Sequence, residues 1–175
     1  MKHVDVTLQR WQVAYAMEEA ARRSENARAK GYRHGSTNAV GLHSNEADLI
    51  GAVCELATAF YTGLEERFFD EDALDLPDVG LIEVRGTRKV DGDLRVYKTD
   101  VEKAPLMVLA VIRHLEDAGA VVRLEGWADS EHAWNYSKPA PFPPHPRRGQ
   151  ARYYASSSLH PITTLVRQHR LMEAW

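Results

Sequence analysis

The chain has one cysteine in 175 residues, so an internal disulfide is excluded. Cys54 lies inside an apolar helical run and reads as a core residue in a reducing compartment. No Cys/His spacing fits a structural zinc site. No run of eighteen apolar residues occurs, which excludes a membrane-spanning helix. The N-terminal residues MKHVDVTLQRW contain no signal-like apolar region, so the expected compartment is the cytoplasm. Internal repeats are absent. A further absence concerns charge: between residues 132 and 172 there is no Asp or Glu at all.

What is present is ordinary for a folded chain: 44% hydrophobic and 27% charged residues, with a formal net charge of −3. The length predicts one domain spanning 1–175 with a core of normal size. Charge is unevenly placed. Residues 65–78 carry seven acids, Glu65, Glu66, Asp70, Glu71, Asp72, Asp75 and Asp78, against one base, Arg67. The acid-free stretch holds Lys138, Arg147, Arg148, Arg152, Arg167 and Arg170, and a second basic cluster comprises Arg22, Arg23, Arg28, Lys30 and Arg33. Acids at the centre and bases on the flanks suit a metal-dependent enzyme acting on a polyanion; the plain alternative is a solvated surface whose charges balance.

The periodicity predicts a first helix over 6–30, with Leu8, Trp11 and Tyr15 on its apolar face, ended by Gly31. A polar loop follows to residue 43. A second helix is expected from Ser44 or Asn45 to about Thr62, then an acidic loop over 64–77. Strands are expected at 81–87, 94–98, 106–112 and 120–128. Asp91-Gly92 marks a hairpin turn between the first two, and 100–105 is a polar connection. One helical turn over 130–136, a proline-rich surface loop over 138–148, a short strand over 152–155 and a last helix from about Pro161 complete the chain. The order of parts is that of an α+β domain with a buried helix packed on a sheet.

The chemistry concentrates in residues 76–86, LPDVGLIEVRG. Strand alternation puts Glu83 and Arg85 on one face and Ile82 and Val84 on the other, with Asp78 just before the strand. Two carboxylates at a strand start are a hard-oxygen site for Mg²⁺ or Mn²⁺, and a neighbouring cation stabilises charge on a phosphate. Residues 49–61, LIGAVCELATAFY, are apolar around the whole helix except for Glu55. A carboxylate there pairs with Arg85 or another cation, lies on a partly open face, or serves as a third site acid.

Pro77-Asp78, then Glu83-Val84-Arg85, resembles the PD-(D/E)xK nuclease motif, with Arg85 in the place of the final Lys. The wider order resembles small phage and prophage proteins of that superfamily. Its parts here are Arg22-Arg23, Arg33-His34-Gly35, Gly51-Ala52 with Glu55-Leu56-Ala57, Asp78 with Glu83-Val84-Arg85-Gly86-Thr87, Asp93-Leu94-Arg95-Val96, the apolar strand 106–111, Gly126-Trp127, and Tyr153-Tyr154 with Leu159-His160-Pro161. The similarity runs over most of residues 6–166. It implies a restriction-endonuclease-like core and Mg²⁺- or Mn²⁺-dependent hydrolysis of DNA in phage DNA processing. By the same resemblance Asp78, Glu83 and the Val84 carbonyl hold the metal, Glu55 assists as a third acid, and Arg85 contacts the scissile phosphate. Lys89 is a candidate for the missing amine. Arg88, Arg95, Arg147, Arg148 and Arg152 are candidate DNA contacts, and a homodimer is left open. The alternatives are a nuclease-fold DNA-binding protein without catalysis and a phage interaction protein with no nucleic-acid role; a His-based hydrolase has no nucleophile motif to support it.

Overall fold

The computed structural model describes residues 2–29, 44–65, 76–116, 118–144 and 148–173. The chain opens with a strand, β1 (Val4–Gln9), that runs directly into helix α1 (Arg10–Ala29). The expected single helix over 6–30 is thus corrected at its start. Val4, Val6 and Leu8 alternate with Asp5, Thr7 and Gln9, a period of two that pleats the segment and turns Leu8 into the core. The helix begins only where this alternation stops. Its inward stripe is Val13, Ala16 and Ala20, whereas Trp11 is 67% exposed.

Helix α2 (Ser44–Thr62) behaves as its composition demands. Residues 52–59 are all buried, and its small side chains Ala52, Ala57 and Ala59 let α1 and the sheet approach closely. At one crossing the sheet itself yields: a Cβ on Gly86 would lie 3.0 Å from Cys54 Sγ and from the Ile50 carbonyl.

Strands β2 (Ile82–Thr87), β4 (Leu106–Glu116) and β5 (Gly119–Asp129) join β1 in a four-stranded sheet of order β1-β5-β4-β2. β2 and β4 are parallel; the other pairs are antiparallel. The hairpin expected at Asp91-Gly92 does not form. Gly92 N–H closes a local turn on the Lys89 carbonyl (3.2 Å), and β3 (Leu94–Val96) leaves for a second sheet, order β3-β7-β6, with β6 (Lys138–Pro139) and β7 (Arg152–Tyr154). Parallel neighbours need a long crossover, and β3 with helix α3 (Lys98–Lys103) supplies it. The expected polar connection over 100–105 is therefore largely helical. Helix α4 (Ser130–Tyr136) and, after two short 3₁₀ turns, helix α5 (Leu165–Glu173) complete the fold.

The main sheet is covered on both faces. Val108, Ala110, Val122, Leu124, Ile82 and Val84 pack with α1 and α2 in one core. Met107, Leu109 and Ala128 look the other way and pack with Leu94, Val96 and Tyr154 of the small sheet, Ala133 of α4 and Leu159. The result is an α+β domain with a mixed sheet. Among the described residues no helix is long and apolar enough to cross a membrane.

The C-terminal segment is fastened to β5 at one point. Trp127 and His160 exchange backbone hydrogen bonds of 3.1 and 2.8 Å, and Trp127 Nε1 donates to Thr164 Oγ1 (2.9 Å). The approach requires Gly126, where a Cβ would lie 2.5 Å from the His160 carbonyl oxygen. Gly126→Ala should therefore cost about 1–3 kcal/mol of stability, as forced overpacking does. Urea denaturation checks this; a midpoint unchanged from wild type would mean that the strap is loose.

Candidate active site

Asp78 is placed by a tight turn. Val79 N–H and C=O pair with those of Ile82 (3.0 and 2.9 Å), and the turn passes through Gly80 at φ 58°, a left-handed conformation that glycine adopts without strain. His169 of α5 packs against this turn: its Nε2 accepts from Leu81 N–H at 3.4 Å and lies 2.8 Å from where a Gly80 Cβ would stand. The turn folds Asp78 back along the edge of β2 that no described strand pairs, where its Oδ2 accepts from Val84 N–H (2.8 Å). A residue's N–H and C=O point the same way in a strand, so the Val84 carbonyl also faces this edge.

Glu83 and Arg85 share a face of β2, as their alternation requires. Their register partners are Met107 and Leu109, so both point away from α2. Glu83 is 2% exposed, and its Oε1 lies 2.8 Å from Arg85 Nη1. Its Oε2 lies 2.9 Å from Lys103 Nζ, and the same ammonium is 3.5 Å from Asp78 Oδ1. Arg85 Nη2 lies 2.5 Å from Asp100 Oδ1. Asp100 is itself fixed: its Oδ2 accepts from Tyr97 N–H (2.8 Å) at the start of α3.

The cluster thus runs Asp78, Lys103, Glu83, Arg85, Asp100, three carboxylates against two cations. Burial and neighbouring charge both act on these groups. Burial raises the Asp78 carboxyl above its ordinary range, and the Glu55 charge adds to this; Lys103 and Arg85 oppose it without prevailing. Burial also raises Glu83, and Asp78 adds to it, against Arg85 and Lys103. Burial works to lower the Lys103 ammonium, but Asp78 and Glu83 outweigh it and hold the proton on. The contacts are close but not all aligned: Glu83 Oε2 and Arg85 Nη2 and Nε have no hydrogen-bond partner despite the ion pairs at the first two.

Glu55 stands apart. The structure pairs it with Arg23 of α1, not with Arg85, and Arg23 Nε also binds Glu19 Oε1 at 2.8 Å. Its link to the cluster is electrostatic, through Asp78. Among the described residues no three carboxylate, His or Cys side chains form a group able to hold a metal. Asp78 and Glu83 are brought together; Glu55 does not join them as a third ligand.

The basic candidates divide. Arg85, 13% exposed, is committed to Glu83 and Asp100 rather than to an open groove. Arg88 reaches Glu46 at 3.4 Å. Lys89 is exposed; its backbone N–H donates to Thr87 Oγ1 and its carbonyl accepts from Gly92 N–H. Arg95 and Arg148 lie over the Tyr97 ring at 5.8 and 5.5 Å. Arg152 is tied to Ser137 Oγ (2.9 Å) and stacks on Trp134 (5.1 Å), which makes it a brace between β7 and α4. Arg147 lies outside the described residues, as does Arg33-His34-Gly35.

Lys103 and Asp100 were not expected at the site. The signal for Asp100 was a carboxylate three residues into a short helix, positioned to bond back to the residue that precedes it. Nothing local distinguishes Lys103, since its role depends on the crossover that carries α3 beside β2.

No family model, no curated protein and no solved structure matches the chain.

Two predictions follow from the electrostatics. Asp78 and Glu83 have raised carboxyls, so the folded chain holds their protons more tightly than the unfolded one. Stability from these groups therefore grows as pH falls toward their ordinary values of 3.8 and 4.5, and is withdrawn above the raised ones. Lys103→Met removes the cation they share and should cost about 3 kcal/mol near pH 8. The loss should shrink as pH falls toward 5, and denaturant titrations at both values check it. Glu55→Gln keeps the shape of a buried side chain and leaves Arg23 on Glu19, so the stability loss should be about 1 kcal/mol, well below that of a buried cation left unpaired. The Asp78 titration midpoint should fall, read by carboxyl ¹³C NMR. An unmoved midpoint would separate Glu55 from the cluster.

Proposed function

We propose that the chain is a metal-dependent nuclease of the restriction-endonuclease-like class, acting on DNA in the cytoplasm of a phage-infected or prophage-carrying host. The observation that supports it best is the single ammonium of Lys103 held between Asp78 and Glu83. Two acids at a strand start with a lysine against them are the chemical content of the PD-(D/E)xK motif. Here the strand position of the lysine is filled by Arg85, and an amine arrives from α3 instead.

The residues fit a divalent cation. The cluster has one carboxylate more than its cations balance, Glu83 Oε2 lacks an aligned hydrogen bond, and the Val84 carbonyl faces the same edge as Asp78. Mg²⁺ is content with one or two carboxylates and several waters, so two acids and a carbonyl suffice. Asp78, Glu83 and Val84 would hold it, and when bound it supplies an acidified water and neutralisation of phosphate charge. The chain's own groups do the rest. Arg85 is a positioning residue that fixes the Glu83 carboxylate. Lys103 has three N–H donors, of which one bonds Asp78 while its charge also faces Glu83; a remaining N–H would meet a phosphate oxygen, where a positive charge stabilises the developing anion. Glu55, oriented by Arg23, adds negative potential at Asp78, which strengthens its hold on a cation or proton.

A second reading is a DNA-binding protein with this architecture and no catalysis. It is favoured by Glu55 standing off as a third ligand and by Arg85 being committed to Glu83 and Asp100. Metal-dependent cutting separates the two. Calorimetry with Mn²⁺ should give binding to wild type and none to Asp78→Asn. In a plasmid-nicking assay Lys103→Met should lose activity at least 100-fold, and Lys103→Arg should restore part of it. Equal Mn²⁺ affinity in wild type and Asp78→Asn would overturn the metal site; wild type that binds Mn²⁺ and leaves the plasmid intact would favour the binding protein.

A further inference from the structure

The small sheet has an inner and an outer face. Leu94, Val96 and Tyr154 turn inward to the second core, and α4 covers that side through Arg152 on Trp134 and His132 against Tyr154. The alternate residues must face outward. The register places Arg95 opposite Tyr153, and Tyr153 opposite Lys138, so one row across three strands reads cation, ring, cation. Two interstrand spacings, about 10 Å, separate the cations. Phe142, 36% exposed, stands edge-on to Tyr153 with ring centroids 6.2 Å apart. Tyr97 packs with Tyr153 at one end of the row and has Arg148 beside it.

Two features give this face a direction and a charge. Tyr97 lies 6.0 Å from the Arg85 guanidinium, so the row ends against the acid cluster. Arg95 and Lys138 make no ion pair among the described residues, and the stretch that carries β6 and β7 has no acid between residues 132 and 172. Lys138 is exposed, and Arg95 is half-buried over the Tyr97 ring at 5.8 Å, so neither charge is met by an acid among the described residues.

We propose that the outer face of β3-β7-β6 is a track for an unpaired DNA strand, which delivers a single-stranded segment to the acid cluster. Arg95 and Lys138 take successive stretches of backbone, and between those cations a base stacks on the exposed side of the Tyr153–Phe142 pair, whose rings already touch edge to face. A duplex keeps its bases inside the stack, so a ring flanked by cations is of use only where bases are free. The assignment rests on the nuclease reading of the acid cluster and narrows its substrate to single-stranded DNA or the loose strand of a branched duplex.

Fluorescence anisotropy tests it, with a labelled oligothymidine and a hairpin duplex of equal nucleotide number, in EDTA over a range of NaCl. Wild type should bind the single strand at least tenfold more tightly than the duplex. Tyr153→Leu should lose about tenfold of single-strand affinity, on the scale of one base–aromatic stack, and Tyr153→Phe should retain it. Phe142→Ala, at an exposed position, should weaken single-strand binding in the same sense and serves if Tyr153→Leu fails to fold. Arg95→Gln with Lys138→Gln should flatten the salt slope by about 1.4, two phosphate contacts at about 0.7 each. Duplex bound as tightly as single strand would overturn the track, as would ring variants that bind like wild type. Because EDTA removes the metal, the outcome is independent of cutting. A strand bound as described by a protein that never cuts would reject the nuclease and keep the track, and metal-dependent cutting unaffected by the ring variants would do the reverse.

Discussion

A carboxylate buried between two cations organises this molecule. Glu83 is almost wholly withdrawn from water, and an isolated charge in that position is costly enough that the chain would protonate it or fail to bury it. Arg85 from the same strand and Lys103 from the crossover helix make the burial tolerable. The arrangement binds three pieces of chain to one another: the turn that carries Asp78, strand β2, and helix α3. The crossover that lets β2 lie parallel to β4 is held in two ways: α3 to β2 by these ions, and β3 by Leu94 and Val96 in the second core.

Ion pairs of this kind seldom add net stability compared with well-packed apolar residues, because each charge has first been taken from water. This cluster is further handicapped by its stoichiometry, since three acids are set against two cations. The upward shift of Asp78 and Glu83 comes first from burial, with the Glu55 charge adding to it at Asp78 and the Asp78 charge at Glu83. A purely structural network would be expected to balance.

How much of this was legible in the sequence varied with the range of the interaction involved. The shared face of Glu83 and Arg85 followed from strand alternation, and the burial of α2 from apolar residues on every side of the helix; both are local properties. β1 was equally legible, since Val4, Val6 and Leu8 alternate without a break, but the helical spacing of Leu8, Trp11 and Tyr15 obscured it. Trp11 in solvent shows that spacing alone does not identify the inward face. The hairpin expected at Asp91-Gly92 failed for a longer-range reason. A turn sequence permits two strands to pair but does not oblige them to, and β2 found its partner in β4. Lys103 was hidden for the same cause. Its side chain is ordinary, and only the topology brings it to Glu83. Arg23 as the partner of Glu55 likewise depends on how α1 crosses α2, which no local pattern records.

The position of β2 at the margin of the main sheet has a bearing on how the protein keeps to itself. A strand in that position offers a line of unpaired backbone groups to any passing chain, and natural folds commonly block such margins. Here the blocking group is Asp78: its carboxylate occupies Val84 N–H, and the Val79–Ile82 turn that carries it sits at the entry to the strand. A second strand docking there would have to displace an acid held in place by a hydrogen bond and a lysine. One side chain therefore sets both the chemistry of the edge and its resistance to sheet extension. Removing the carboxylate at residue 78 bares the Val84 N–H at the same time as it alters the acid cluster.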